Sequence, residues 1–179
     1  MRTFSLAAIA VALSASAHAQ ESNASTEPTP FQVSKSAQLL TGDTWRDGDR
    51  LFHLYGVQSC LRGTIAEEAG GRKIDCGNAS LAHLAALFDG TAITCQPIGY
   101  ALDEAAFVIC GAQLNGETID VGTALISTGY AFAATTVKGK AVNGNYLVAE
   151  LDAKSNRRGL WNTTFQHPVQ MLLKRISER

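Results

Sequence analysis

The stretch from Gly42 to Cys60, GDTWRDGDRLFHLYGVQSC, predicts two short strands joined by a turn, and the rest of the domain is organised around it. Residues 51–57 (LFHLYGV) form a run dense in residues that favour β-structure. Asp47-Gly48, directly before this run, is a strong signal for a two-residue hairpin turn. The stretch therefore predicts a β-hairpin.

The N-terminus has the pattern of a secretory signal peptide. Arg2 precedes an apolar run from Phe4 to Leu13, and small residues follow up to Ala17-His18-Ala19, an Ala-x-Ala cleavage site. The apolar run is too short to span a bilayer. We therefore expect residues 1–19 to be a signal peptide, no membrane span after its cleavage, and a secreted or periplasmic location.

The segment after the cleavage site predicts a disordered leader followed by one domain. Residues 20–30 are polar, contain two prolines and lack periodicity, whereas residues 31–179 are long enough for one core. Weak alternation over residues 32–37 predicts a first strand that pairs with the strands that follow. The formal net charge is −1, so the composition does not favour nucleic acid as a partner.

Four cysteines in a chain with a signal peptide predict two disulfides. Residues 91–98 and 105–113 are strand-like, and the segment between them is turn-like. A hairpin centred between Leu102 and Asp103 places Cys95 opposite Cys110, at disulfide distance. Cys60 is then left to pair with Cys76.

Helical periodicity predicts three helices. They span residues 78–88, about 120–128 with Gly129 as a left-handed cap, and about 142–156. His83 lies off the apolar face of the first helix, and we expect it to be a solvated residue without a ligand role. On the third helix, Glu150 and Lys154 are expected to form an ion pair one turn apart.

The last of these helices carries a closing motif. From Tyr146 to Trp161 the chain reads Y-x3-E-x2-A-K-x3-R-G-L-W. Together with Gly-Asp-Thr at residues 42–44 and Leu-Tyr-Gly-Val at residues 54–57, this motif resembles the thermonuclease-like (staphylococcal nuclease-like) family. The resemblance extends from about Leu39 to Pro168. It implies an α+β fold, a five-stranded OB-type β-barrel with three helices, and secreted members of the family carry cysteines at similar places.

The resemblance also identifies the positions where the family has its active site. Asp43 matches a metal-binding aspartate, whereas His53 replaces the first catalytic arginine, Gln58 the second ligand aspartate, Leu61 the general-base glutamate and Ala105 the second arginine. Calcium-dependent phosphodiester hydrolysis requires oxygen ligands for the cation, a base and cations that hold the phosphate. These positions are therefore interpreted as vestigial: no catalytic residue, no cofactor, and Asp43 as the only matched metal ligand.

Two functions from different classes are compatible with this pattern. The first is an inactive binding or accessory module with a protein or an oligosaccharide as its ligand. One thermonuclease-like relative is assigned to succinoglycan exopolysaccharide biosynthesis in rhizobia, and the resemblance to it implies a role near extracellular polysaccharide production. The alternative is a calcium-dependent nuclease with a rearranged site, in which Glu67 or Glu68 replaces the base and His53 contacts the phosphate. The position of the two glutamates relative to Asp43 distinguishes these functions.

Overall fold

The structure is a computed structural model that describes residues 29–178. The predicted signal peptide and most of the predicted leader lie outside the described residues. Four α-helices occur in this range: α1 (Cys76–Gly90), α2 (Val121–Ser127), α3 (Gly144–Ser155) and α4 (Pro168–Ser177). A 3-10 helix, Gly159–Asn162, follows α3.

The strands of the described range are mostly short. They are β1 (Phe31–Gln32), β2 (Gln38–Leu39), β3 (Thr44–Asp47), β4 (Arg50–Leu54), β5 (Val57–Ser59), β6 (Ile65–Glu68), β7 (Lys73–Asp75), β8 (Ala92–Tyr100), β9 (Ala106–Leu114), β10 (Glu117–Asp120), β11 (Ala131–Ala133) and β12 (Thr163–Thr164). The α+β class is thus confirmed. The expected counts of five strands and three helices are wrong.

The largest sheet is mixed, with the strand order β1-β8-β9-β4-β3-β2 and β10 paired with β9. Strand β4 runs parallel to β9, with His53 opposite Phe107. Two small sheets lie beside it, β11-β5 and β12-β6-β7. The parallel pair is the contact that positions the cleft described below, because it joins the first hairpin to a strand about 50 residues further along the chain.

Two differences in the strands have local causes. The β3–β4 hairpin is present, but Asp47 pairs with Arg50, so the turn residues are Gly48 and Asp49 rather than Asp47 and Gly48. Gly48 has a φ of 58°, which glycine adopts without strain. The strand expected over residues 32–37 is replaced by the two dipeptides β1 and β2, because residues 33–37 leave the sheet between them.

Both disulfides have the predicted pairing. Cys95 lies opposite Cys110 in the β8–β9 ladder, and their Cα atoms are 4.0 Å apart. Cys60 is bonded to Cys76 at a Cα–Cα distance of 5.6 Å, which ties the end of β5 to the start of α1. A register shift occurs between Pro97 and Gly99, so the ladder beyond it pairs Gly99 with Phe107.

Helix α3 packs against α2 and β11, and its Tyr146 is buried. Its hydroxyl donates to Asp120 Oδ2 at 3.2 Å. A Cβ at Gly122 would lie 2.4 Å from Tyr146 Oη, so glycine is what allows α2 to approach this ring. Burial and the neighbouring Asp120 carboxylate raise the pKa of the Tyr146 phenol. The phenol therefore stays a neutral donor at any physiological pH.

Glu150 does not form the predicted pair with Lys154. Its Oε2 accepts from the backbone N–H of Ala133 at 2.6 Å, and its Oε1 lies 3.3 Å from His167 Nε2. Lys154 instead lies over the Trp161 ring, 5.2 Å from its centroid. The prediction was wrong because it considered only the exposed face of one helix, whereas Glu150 points inward and holds the neighbouring strand.

Two further expectations are corrected. Helix α4 lies beyond the three predicted helices and begins at Pro168, a typical residue for the first turn of a helix. His83 is half-buried rather than solvated: it stacks on Tyr130 at 4.3 Å, and its Nε2 lies 2.8 Å from Thr128 Oγ1. Within residues 29–178, no helix has both the length and the apolar character needed to cross a bilayer.

Candidate functional site

An open cleft with a volume of about 730 Å³ lies between the β3–β4 hairpin, the β8–β9 turn and the loop after β11. Strand periodicity explains which side chains face it. Phe52 and Leu54 point into the core, and His53, between them, points the other way, towards the cleft. Phe107 lies beside His53 because β9 pairs with β4 in parallel at this residue.

Asp43 lies at the floor of the cleft, and its carboxylate is held by the protein itself. Among the described residues, Oδ1 accepts from the hydroxyls of Thr41, Thr44 and Ser59, and Oδ2 accepts from the backbone N–H of Ser59 at 2.8 Å. Through these hydrogen bonds the Asp43 carboxylate acts as a brace between the start of β3 and the end of β5.

His53 connects this brace to the β8–β9 turn. Its Nδ1 lies 2.6 Å from Thr44 Oγ1, and its Nε2 lies 3.3 Å from Asp103 Oδ2. The hydrogen bond from His53, with the one from the Ala105 N–H, lowers the pKa of the Asp103 carboxyl. Asp103 is therefore ionised near neutral pH, and its side chain is 55% exposed towards the cleft.

Of the other three vestigial positions, Gln58 lies in the cleft with Asp43 and His53, whereas Leu61 and Ala105 do not line it. Gln58 lines the cleft, and its Nε2 donates to Ser59 O at 2.9 Å. Leu61 lies beyond β5 and is not among the residues that line this cleft. Ala105 is fully buried at the end of the turn, so an arginine could not replace it without opening that turn.

The two glutamates that could supply a substitute base lie elsewhere. Glu68 is paired with Arg72 at 2.6 Å, and Glu67 lies 4.0 Å from Lys73. Both glutamates line a separate hollow near Trp161, whereas neither lines the cleft at Asp43. The Arg72 hydrogen bond lowers the pKa of the Glu68 carboxyl, which makes it a weaker base.

Among the side chains that could ligate a metal ion in the cleft, Asp43 is the one matched by the resemblance. Residues 29–178 contain no group of three or more His, Cys, Asp or Glu side chains placed to hold a metal ion. Calcium takes six to eight oxygen ligands. At the floor of the cleft, Asp43 offers carboxylate oxygens that already accept hydrogen bonds from the protein.

Sequence reasoning missed part of the cleft. Tyr55 and Phe107 form two of its walls, and their rings meet edge to face, 5.7 Å apart and at 76°. Tyr55 lies in the turn that directly follows β4, two residues after His53. Phe107 had no local signal, because its position depends on the parallel pairing of β4 with β9.

Comparison with known proteins adds no family assignment. No protein-family model matches the chain, and no curated protein sequence is significantly similar to it.

Proposed function

We propose that the protein is a thermonuclease-like binding or accessory module of the secreted or periplasmic space that does not hydrolyse phosphodiesters. The mixed sheet with a parallel β4–β9 pair is compatible with an OB-type barrel. The two disulfides are typical of proteins in an oxidising compartment. The ligand is a protein or an oligosaccharide, and a role in extracellular polysaccharide production rests on the family resemblance alone.

One observation carries this proposal: the charge of the cleft is opposite to what a phosphate requires. Asp43 and Asp103 line it, whereas none of the lining side chains in the described part of the protein is Lys or Arg. Charges of the same sign repel, and the cleft lining offers no cation to offset that repulsion. A phosphodiester would therefore be repelled where a nuclease has to attract it and stabilise its transition state.

The alternative, a nuclease with a rearranged site, finds no comparable support. Its substitute base would be Glu67 or Glu68, and both carboxylates are paired with cations outside the cleft. His53 contacts Asp103, and a neighbouring carboxylate opposes the approach of a phosphate. Loss of the general base alone costs about 10² to 10⁴ in rate.

The test is a nuclease assay of the purified protein with single-stranded DNA and RNA in calcium. We expect no measurable cleavage and no calcium-dependent rise in melting temperature. A variant with His53→Arg, Gln58→Asp and Leu61→Glu is the matched control, and it should cleave detectably if the scaffold still supports the reaction. Ala105 is left unchanged because it is fully buried. Robust cleavage by the unmodified protein that is abolished by Glu67→Gln or Glu68→Gln would establish the nuclease alternative.

A further inference from the structure

Four ring side chains line the cleft: His53, Tyr55, Tyr100 and Phe107. Tyr55 and Phe107 form a near-perpendicular corner, and the His53 ring lies 6.1 Å from that of Phe107. Tyr100, at the end of β8, lines the same cleft and is 72% exposed. Tyr55 is 36% exposed. Large aromatic surfaces are costly to leave in water, so a corner of this kind suits a ligand that contacts ring faces.

The carboxylate of Asp103 stands beside this corner. It reaches His53 Nε2 from the β8–β9 turn, and His53 in turn lies next to Phe107. Asp43, at the floor, adds a second negative charge. Aromatic faces carry negative electrostatic potential from their quadrupoles. The ring faces and the carboxylates of the cleft therefore both favour a positively charged ligand.

We propose that the cleft binds an organic cation, with an alkylammonium head group placed in the Tyr55–Phe107 corner and facing Asp103. Such cations are attracted to ring faces within about 6 Å, and quaternary ammonium groups are recognised by aromatic cages. The cleft volume of about 730 Å³ lies within the usual range for small-molecule sites. The inference rests on the proposed binding function and replaces its broad ligand class, a protein or an oligosaccharide, with a ligand that presents an alkylammonium group.

An oligonucleotide or another phosphorylated ligand fits the same geometry poorly. Its charge would face Asp103 and the aromatic faces, and the lining described here supplies no Lys or Arg to offset the repulsion. A neutral sugar could stack on Tyr100, but its affinity would not depend on the Asp103 charge. Charge dependence is thus the property that separates the three ligand classes.

The experiment compares choline with 3,3-dimethyl-1-butanol, which has the same shape without the charge. Binding to the purified protein is followed by nuclear magnetic resonance titration. We expect choline to bind about tenfold more tightly than the neutral analogue. Trimethyl-lysine within a short peptide is a second arm, which shows whether the cation is presented by a small molecule or by a polypeptide. Equal affinity for choline and its analogue, or no binding of any of the cations, overturns the proposal.

Variants locate the site. Phe107→Leu and Tyr55→Leu remove one ring each while retaining apolar volume, and each should weaken choline binding by about three- to tenfold. Asp103→Asn should weaken it by a similar factor, whereas Glu117→Gln makes the same change in net charge at the opposite end of β9 and should not. If Phe107→Leu destabilises the fold, Tyr55→Leu still tests the corner. Unchanged choline affinity in Tyr55→Leu and Asp103→Asn would overturn the assignment.

Two arms separate this inference from the proposed function. Inorganic phosphate and thymidine 3′,5′-bisphosphate are titrated into the same samples. Tighter binding of the bisphosphate than of choline would overturn both the cation site and the proposed function. Absence of nuclease activity together with no cation binding would overturn the cation site alone.

Discussion

The interface of α2 and α3 and the cleft at His53 are built in contrasting ways. At the interface, Tyr146 is buried, and a Cβ on Gly56 or Gly122 would lie 3.3 Å or 2.4 Å from its atoms. At the cleft, the His53 and Asp103 side chains are 28% and 55% exposed. The interface therefore restricts its residues by packing from several sides, whereas the cleft restricts its residues mainly through hydrogen bonds. We therefore expect substitutions of the exposed cleft residues His53 and Asp103 to cost the fold less than substitutions at the interface.

The largest effect is expected at the α2–α3 interface. Tyr146→Ala should lower the free energy of unfolding by about 3 to 5 kcal/mol, because it removes a buried aromatic ring and leaves a cavity beside two glycines. Tyr146→Phe, which loses only the hydrogen bond to Asp120, should cost about 1 to 3 kcal/mol. Urea denaturation measures both. If Tyr146→Ala lowers the free energy of unfolding by less than about 1 kcal/mol, the interface is not more tightly restricted by packing than the cleft.

Asp43 is expected to behave like a scaffold residue although it lies in the cleft. Asp43→Ala leaves the N–H and hydroxyl of Ser59 and the hydroxyls of Thr41 and Thr44 without this acceptor, at a cost of about 1 to 3 kcal/mol. Asp43→Asn keeps an acceptor oxygen and should lose less. Denaturation with and without calcium is the measurement. Full stability of Asp43→Ala without calcium, combined with loss of a calcium response, would instead make Asp43 a metal ligand.

The smallest effect concerns pH. Burial lowers the pKa of His83 below its ordinary value of 6.5. The unfolded chain therefore binds a proton at a pH where the folded protein does not, so this contribution to stability is present above pH 6.5 and is lost as pH falls below it. Melting temperatures at pH 7.5 and 5.0 should differ less in His83→Gln than in the parent protein. An equal decrease in melting temperature in His83→Gln and in the parent protein would mean that folding does not lower the pKa of His83.

Asp103 provides the contrasting case in the cleft. The His53 hydrogen bond lowers the pKa of this carboxyl below its ordinary value of 3.8, so its contribution is present above that pH and is lost only as pH falls through the lower folded value. Asp103→Asn should therefore leave the slope between pH 7.5 and 5.0 unchanged. If Asp103→Asn instead reduces the change in melting temperature between pH 7.5 and 5.0, the group that takes up the proton lies in the cleft and is not His83.

Local features of the sequence determined much of the scaffold. The turn after β3 was predicted to within one residue, and Asp120 and Asn143 begin helices close to the predicted starts because their side chains cap the first backbone N–H groups. The disulfide pairing followed from hairpin register, since strand residues whose numbers have a constant sum face each other. In each case the determining interaction lies within one turn or one hairpin.

Only the tertiary structure decided what the cleft is. Asp43 matched a motif, but its carboxylate accepts from Ser59, which the fold brings to it from the end of β5. Glu150 had a plausible partner on its own helix and instead holds Ala133. The Tyr55–Phe107 corner and the contact of Asp103 with His53 require a parallel pairing and a turn from a distant hairpin. These contacts join residues from 16 to 52 positions apart, and no local periodicity encodes which of them will meet.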